Sequence, residues 1–306
     1  MQQHPGSLFR QLLARGGAVP VPGCYDPLGA MLIERAGFDA AYMTGFSLSA
    51  SYGKPDIGLL TMQDMVQQAQ RIAESVRIPV IMDADTGYGG AANIAETVRA
   101  CDKAGLAGLH LEDQLMPKKC GAMAGKQLAS IEEMQLRLKA ARSGRVHRDF
   151  VIIGRTDAMT VAGLEEVLLR CKAMQHAGAD AIMVPSLSTP EELAAVAASV
   201  EIPVLYVAAE TVRPTYTKAQ LEQAGFAAAL YPLSLIQTTV KVQQAMLQAL
   251  HQHGDSVQLI DGMLPFAELG RLVGVERAAA FESWLNSSSD LEDVVDNTMA
   301  TLNGRS

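Results

Sequence analysis

Aromatic residues make up only 5% of this 306-residue chain, with a single tryptophan. A core poor in large rings must be filled by aliphatic side chains, as in parallel strands covered on both faces by helices. Cysteines are few as well. Cys24, Cys101, Cys120 and Cys171 are widely spaced and form no C-x-x-C pair, which argues against a disulfide framework or a thiolate zinc site. No block of Lys or Arg is present and the formal net charge is −8, so no nucleic-acid partner is expected. No run of about 18 apolar residues signals a membrane span. The first thirteen residues are too polar for a signal peptide, and the expected location is the cytoplasm. The absence of G-x-G-x-x-G after the first apolar run weakens a dinucleotide-binding reading.

Hydrophobic residues reach 49% and charged residues 19%, a globular composition with material for a large core. Short apolar runs alternate with amphipathic stretches. The runs Val19–Cys24, Ala40–Thr44, Val80–Asp83, Gly108–Glu112, Phe150–Arg155, Ala181–Val184, Val204–Val207 and Ala227–Tyr231 are rich in Val and Ile and too short for helices. Between them Met62–Ser75, Asn93–Ala104, Glu132–Arg142, Gly163–Ala177, Pro190–Ser199, Lys218–Ala224 and Ser234–His251 follow the helical period. Thr189-Pro190-Glu191-Glu192 reads as an N-cap, a first-turn proline and acids at the positive helix end. Four Ala-Gly pairs, ending at Gly37, Gly105, Gly178 and Gly225, read as helix stops.

Eight strands with intervening helices predict an α/β protein of the (β/α)8 TIM-type barrel class, a fold of about 250 residues. The barrel is placed at residues 1–254. Residues 255–306 are read as a C-terminal helical extension with helices at Phe266–Leu272, Arg277–Asn286 and Leu291–Leu302. That extension has no partner in the barrel pattern and is expected to pack on a neighbouring subunit.

In such barrels the site lies at the C-terminal strand ends. Strand three ends in Asp83-Ala84-Asp85, strand four in Glu112-Asp113, strand five in Arg155-Thr156-Asp157. Converging carboxylates are costly unless a positive group sits among them. Mg2+, with Mn2+ as a substitute, solves that problem through oxygen ligands. Asp83 and Asp85 lie two apart, so on an extended segment they face the same side. Asp85 is read as a direct ligand, with Asp83 and Glu112 bound directly or through water. The alternative is that these acids cap the following helices. Arg155 is suited to a carboxylate or phosphonate oxygen, or else to an ion pair with a rim acid. The Gly- and Lys-rich stretch Gln114–Lys126 reads as a mobile lid. Within it Cys120 has a positive neighbour that lowers a thiol pKa, whereas the other three cysteines fall on core elements.

Together these residues form a familiar set. Leu111-Glu112-Asp113-Gln114 followed by Lys118-Lys119-Cys120-Gly121 resembles the lid signature of the isocitrate lyase/phosphoenolpyruvate mutase superfamily. Tyr42-Met43-Thr44-Gly45, Gly53-Lys54-Pro55-Asp56, Asp83–Gly89 and Gly154–Ala158 extend the likeness, and Ala229–Ser234 is similar to methylisocitrate lyases. The resemblance covers about residues 18–250. It implies a Mg2+-dependent barrel acting on small keto or hydroxy acids, a homotetramer with a C-terminal helix exchanged between subunits, and lyase chemistry through an enolate. Cys120 would be the general acid, with Lys118, Tyr42 and Arg155 beside it. Thr44, Gly45, Phe46, Gly121 and Arg155 would bind substrate, and Asp56 would orient the water shell of the metal.

Four departures bear on substrate. Ala122 stands where the lyase lid has a His, Ser186 where methylisocitrate lyases have a Glu, and Tyr206–Glu210 lacks their Asn. Phe46 replaces a Gly. These changes favour a small substituted malate over a tricarboxylate, with pyruvate or a related 2-oxo acid released. The alternatives are an oxaloacetate hydrolase or decarboxylase, a carboxyphosphonoenolpyruvate mutase-like P–C enzyme, or a degenerate ligand-binding barrel.

Overall fold

The computed structural model describes residues 3–121, 123–208, 210–211 and 214–287. Eight strands close a parallel barrel in chain order: β1 Val19–Cys24, β2 Ala41–Met43, β3 Val80–Asp83, β4 Gly108–Glu112, β5 Val151–Arg155, β6 Ala181–Val184, β7 Val204–Val207 and β8 Ala228–Tyr231. The ring shuts where Val19 of β1 pairs with Ala228 of β8. Five strands keep their predicted bounds. The other three are shorter by one residue at one end, or at both in β2.

The helices are α1 Pro5–Arg15, α2 Pro27–Arg35, α3 Gly45–Ser51, α4 Met62–Glu74, α5 Ala91–Lys103, α6 Ile131–Gly144, α7 Met159–Ala162, α8 Leu164–Ala177, α9 Pro190–Ala198, α10 Lys218–Gln223, α11 Ser234–His253, α12 Phe266–Leu272 and α13 Val275–Ser287. A 3-10 turn spans Val257–Gly262. Local chemistry explains the ends. Thr61 and Thr189 form capping boxes with Asp64 and Glu192, each satisfying backbone donors that a helix start leaves open. The four Ala-Gly stops all have glycine at positive φ: Gly37, Gly105, Gly178 and Gly225. Helices α1, α3 and α7 were not anticipated, and of α2 only the stop at Gly37 was. The predicted helix Leu291–Leu302 lies outside the described residues, as do Ala122 and Ala209.

The chain divides into two compact units, residues 1–241 and 242–306. The first contains the barrel. Its interior is aliphatic, with Val21, Ile81, Val151, Ile153 and Leu205 at 0% exposure. Phe9 of α1, also fully buried, joins this interior cluster. Because α1 precedes β1 and its Gly6 abuts the carbonyls of Ala107 and Asp149, the helix closes the N-terminal mouth. The second unit holds α12 and α13 and carries many exposed apolar side chains, including Val257, Ile260, Leu264 and Phe266. Among the described residues no helix is long and apolar enough to cross a membrane.

Candidate active site

At the opposite rim β3 delivers Asp83 and then turns sharply. Gly87 N donates to Ala84 O at 2.8 Å, and Asp85 adopts a left-handed backbone with φ 47°. The amide of Asp85 donates to Asp83 Oδ1 at 2.9 Å. Asp83 and Asp85 therefore converge through a turn, which corrects the expectation that alternation along an extended segment brings them together. A non-glycine residue held left-handed carries strain of about 1–3 kcal/mol, and such strain gathers at functional sites.

Gly45 makes room for this group. A Cβ built there would stand 2.7 Å from Asp83 Oδ2. Gly45 is thus a packing requirement of the acid cluster, and it does not line the cavity. Next to it Thr44 is buried, and its side chain makes no capping bond to α3. Both Thr44 and Phe46 line the cavity.

Two cations answer the acids. Lys118, from the loop after β4, contacts Asp56 and lies 2.5 Å from Asp85 Oδ1. Arg155, at the end of β5, places Nη1 at 3.2 Å from Glu112 Oε2 and 4.0 Å from Asp83 Oδ2, and Nη2 at 3.1 Å from Asp157 Oδ1. Arg155 forms the ion pairs with rim acids that were its alternative role, and it also lines the cavity. Burial opposes the charge on Lys118, but Asp85, Asp83, Asp56 and Glu112 outweigh it and raise its pKa.

The acids respond unequally. Burial, then the charge of Asp83, pushes Asp85 up to about 7. Burial also raises Glu112 well above its usual range, against the pull of Arg155. Burial acts the same way on Asp83, yet its cationic neighbours prevail and hold it below the ordinary carboxylate range. His110 is among those neighbours, but burial pushes its own pKa down to about 4, so near neutral pH Lys118 and Arg155 supply the effect.

The cations present are outnumbered. Asp85 Oδ1 meets only the ammonium of Lys118, which it shares with Asp56, and Glu112 Oε1 is buried without a hydrogen bond. Buried carboxylates in excess of their cations, gathered from two strands and a turn, fit a hard divalent cation. A separate His/Asp group consistent with a divalent cation is formed by His4, Asp102 and His147, whose ligand atoms all lie within 4.8 Å of one another. It belongs to the N-terminal end of the barrel.

Tyr42 Oη lies 2.8 Å from His110 Nε2 in a buried hydrogen bond. His110 was missed by the sequence reading. The signal was available, because His110 and Glu112 are two apart on a strand and share a face. Gln114 was named only as part of the lid. Its side chain accepts from Lys119 N at 2.9 Å and donates to Lys119 O and Asp157 Oδ2, each at 2.9 Å. That pins the lid backbone beside Cys120 to the strand ends. Gly121 presses on Arg155, with a built Cβ 2.8 Å from Nη2. Lys126 donates to the carbonyls of Gly121 and Met123.

The cavity so enclosed measures about 600 Å3. Its lining includes the charged groups Asp56, Asp83, Glu112, Lys118 and Arg155 beside Tyr42, with Lys119, Cys120, Gly121 and Lys126 from the lid segment. Phe46, Leu187, Val207, Pro232 and Leu233 are apolar members of the same lining. Asp85 lies outside the wall, against Lys118. Ser186 also lines the cavity, with a left-handed backbone at φ 67°. Cys120 is half-buried, whereas Cys24, Cys101 and Cys171 are buried, with burial raising the last three to about 12 or beyond.

Residues 9–251 match the phosphoenolpyruvate phosphomutase family. The chain is 42% identical to the 2,3-dimethylmalate lyase of Eubacterium barkeri, over 90% of this chain and 96% of that one. It is 36% identical to the 2-methylisocitrate lyase of Aeropyrum pernix, over 89% and 88% of the two chains. A solved structure of oxaloacetate acetylhydrolase with 3,3-difluorooxalacetate superposes with a TM-score of 0.87 at 32% identity, covering 94% of this chain and 99% of the other.

Proposed function

The chain belongs to the phosphoenolpyruvate phosphomutase family, within the isocitrate lyase/phosphoenolpyruvate mutase superfamily, and from that premise we propose that it is a Mg2+-dependent lyase splitting a small substituted malate into a 2-oxo acid and a monocarboxylate. Members of this superfamily cleave C–C or P–C bonds of small 2-hydroxy and 2-oxo diacids, and this chain is such an enzyme. The observation that carries the choice of substrate is a cavity lining that combines a cluster of charged groups with apolar side chains. The charged cluster suits the carboxylate and 2-oxygen of a 2-hydroxy acid. Phe46, Leu187, Val207, Pro232 and Leu233 suit alkyl substituents, while the lining ammonium groups of Lys119 and Lys126 are bonded to carbonyls of the lid segment itself.

Asp85, Asp83 and Glu112 would hold the cation, with Asp56 orienting its water. When bound, Mg2+ polarises the 2-oxygen and offsets the negative charge that grows as the bond breaks. Arg155 and Thr44 bind the carboxylate, and Tyr42, hydrogen-bonded to His110 Nε2, faces the 2-oxygen. The 2-hydroxyl passes its proton to Tyr42 as Tyr42 passes its own to the neutral His110, the C2–C3 bond breaks, C2 becomes the carbonyl carbon of the 2-oxo acid, and C3 keeps the electron pair as an enolate. Cys120 then delivers a proton to C3. With Gly121 and Lys126 closing the lid, water is kept from competing for that carbanion. Fixed positive groups lower the barrier because they are already aimed at the developing charge.

The proposed assembly is a homotetramer with C-terminal helix exchange, acting in the cytoplasm, with the catalytic barrel at residues 1–254 and the extension at 255–306. An apolar groove lined by Pro20, Pro22, Leu32, Ile33, Phe38 and Leu235 supports the exchange, together with the exposed apolar side chains of the second unit. Light scattering should return four chain masses. The function is tested by following 2-oxo acid release from a panel of malates, methylisocitrate, oxaloacetate and phosphonopyruvate. Alkyl malates should have the highest kcat/KM, and faster release of oxalate from oxaloacetate would replace the lyase reading with a hydrolase.

A further inference from the structure

We propose that the protein carries a second cation site, selective for Zn2+ or a similar transition ion, built by His4, Asp102 and His147 at the N-terminal end of the barrel. These residues come from three separate parts of the chain. His4 is the N-cap of α1, Asp102 lies in the last turn of α5, and His147 precedes β5. His4 Nε2 stands 3.1 Å and His147 Nδ1 2.9 Å from the same oxygen, Asp102 Oδ1. Donors around a tetrahedral ion at Zn–N and Zn–O lengths stand roughly 3.3 Å apart, so small movements would admit the ion.

The carboxylate is prepared for it. Asp102 is 2% exposed, and its ion-pair partners are the two imidazoles. Its second oxygen, Oδ2, accepts from the amides of Val146 and His147 at 2.7 Å each. These bonds aim Oδ1 at the histidines, as outer partners orient metal ligands elsewhere. The side chain of His147 is 55% exposed, which leaves an entry path and a position for water. Two imidazoles and one carboxylate favour Zn2+ over Mg2+, which prefers oxygen.

Binding has a defined local cost. The amide of Gly6 donates to His4 Nδ1 at 3.1 Å, so the neutral ring carries its proton on Nε2. An ion at Nε2 moves that proton to Nδ1 and releases the Gly6 amide. In return it ties α1 to α5 and to the segment before β5, across the closed mouth of the barrel.

The test uses full-length protein stripped of metal and then saturated with Mg2+. Calorimetry with Zn2+ and absorbance with Co2+ should show one equivalent bound, and Zn2+ should raise the melting temperature. His147→Ala and His4→Gln should each weaken binding by more than about tenfold and abolish the thermal shift, while Mg2+-supported turnover stays unchanged. Absence of stoichiometric Zn2+ binding, or binding that both variants leave intact, overturns the proposal.

Discussion

Lys118 carries its ammonium group into the acid cluster and bridges Asp56 and Asp85. The lid-side loop thus contributes a buried positive charge to the same carboxylates that suit a cation. Lys118→Met would leave those acids without their partner. Removing one member of a buried pair costs about 3–5 kcal/mol. Urea unfolding in chelator should shift to lower midpoint by a corresponding amount, and Mg2+ should recover part of the loss. Coincident unfolding curves for variant and parent would show that Lys118 does not neutralise the cluster.

Asp85 is the ligand expected to matter most for metal. Asp85→Ala removes a buried carboxylate whose charge is met only by Lys118 and should greatly weaken Mg2+ binding by calorimetry. Turnover should fall with it and recover only in part at high Mg2+. Unchanged binding heat would remove Asp85 from the ligand set.

Cys120 is predicted to act after the bond has broken. General acid catalysis contributes about 10²–10⁴-fold, so Cys120→Ser should lower kcat for cleavage on that scale. Oxalate, which resembles the 2-oxo acid product and takes no proton from Cys120, should bind the variant with its parental affinity. A variant that retains near-parental kcat would leave proton delivery to another group.

Gly45 tests how finely Asp83 must be placed. Alanine there puts a carbon against Asp83 Oδ2 and forces the carboxylate to move. Misplacing a catalytic group by about 1 Å can cost about 10²-fold. Gly45→Ala should lose rate on that order while its melting temperature stays within a few degrees of the parent. Parental kcat/KM would mean that Asp83 adjusts without penalty.

The barrel was legible because its signals repeat. Eight apolar runs recur from Val19 to Tyr231, with Ala-Gly helix stops before β2, β4, β6 and β8, and periodic patterns are the strongest local evidence of fold. The acids were legible because strand ends at a barrel rim are where chemistry gathers. What escaped was set by contacts distant in sequence. The bond between Tyr42 and His110 joins residues 68 apart. The grip of Gln114 on Lys119 depends on a loop conformation that no period encodes. The Asp83–Asp85 pair was found for an incomplete reason, since a left-handed turn at Asp85, rather than strand alternation, brings the two acids together. Helix α1 was missed because its polar flanks hid the apolar face of Phe9, Leu12 and Leu13.

That helix has a kinetic consequence. With Phe9 filling the N-terminal mouth, the described residues leave the cavity to be reached from the side of Cys120 and Gly121. On the proposed reaction, substrate arrives and both products depart on that side, so the fragment nearer the opening is expected to leave before the one held by the acids. Ordered release is the expected consequence of the plug at the other end.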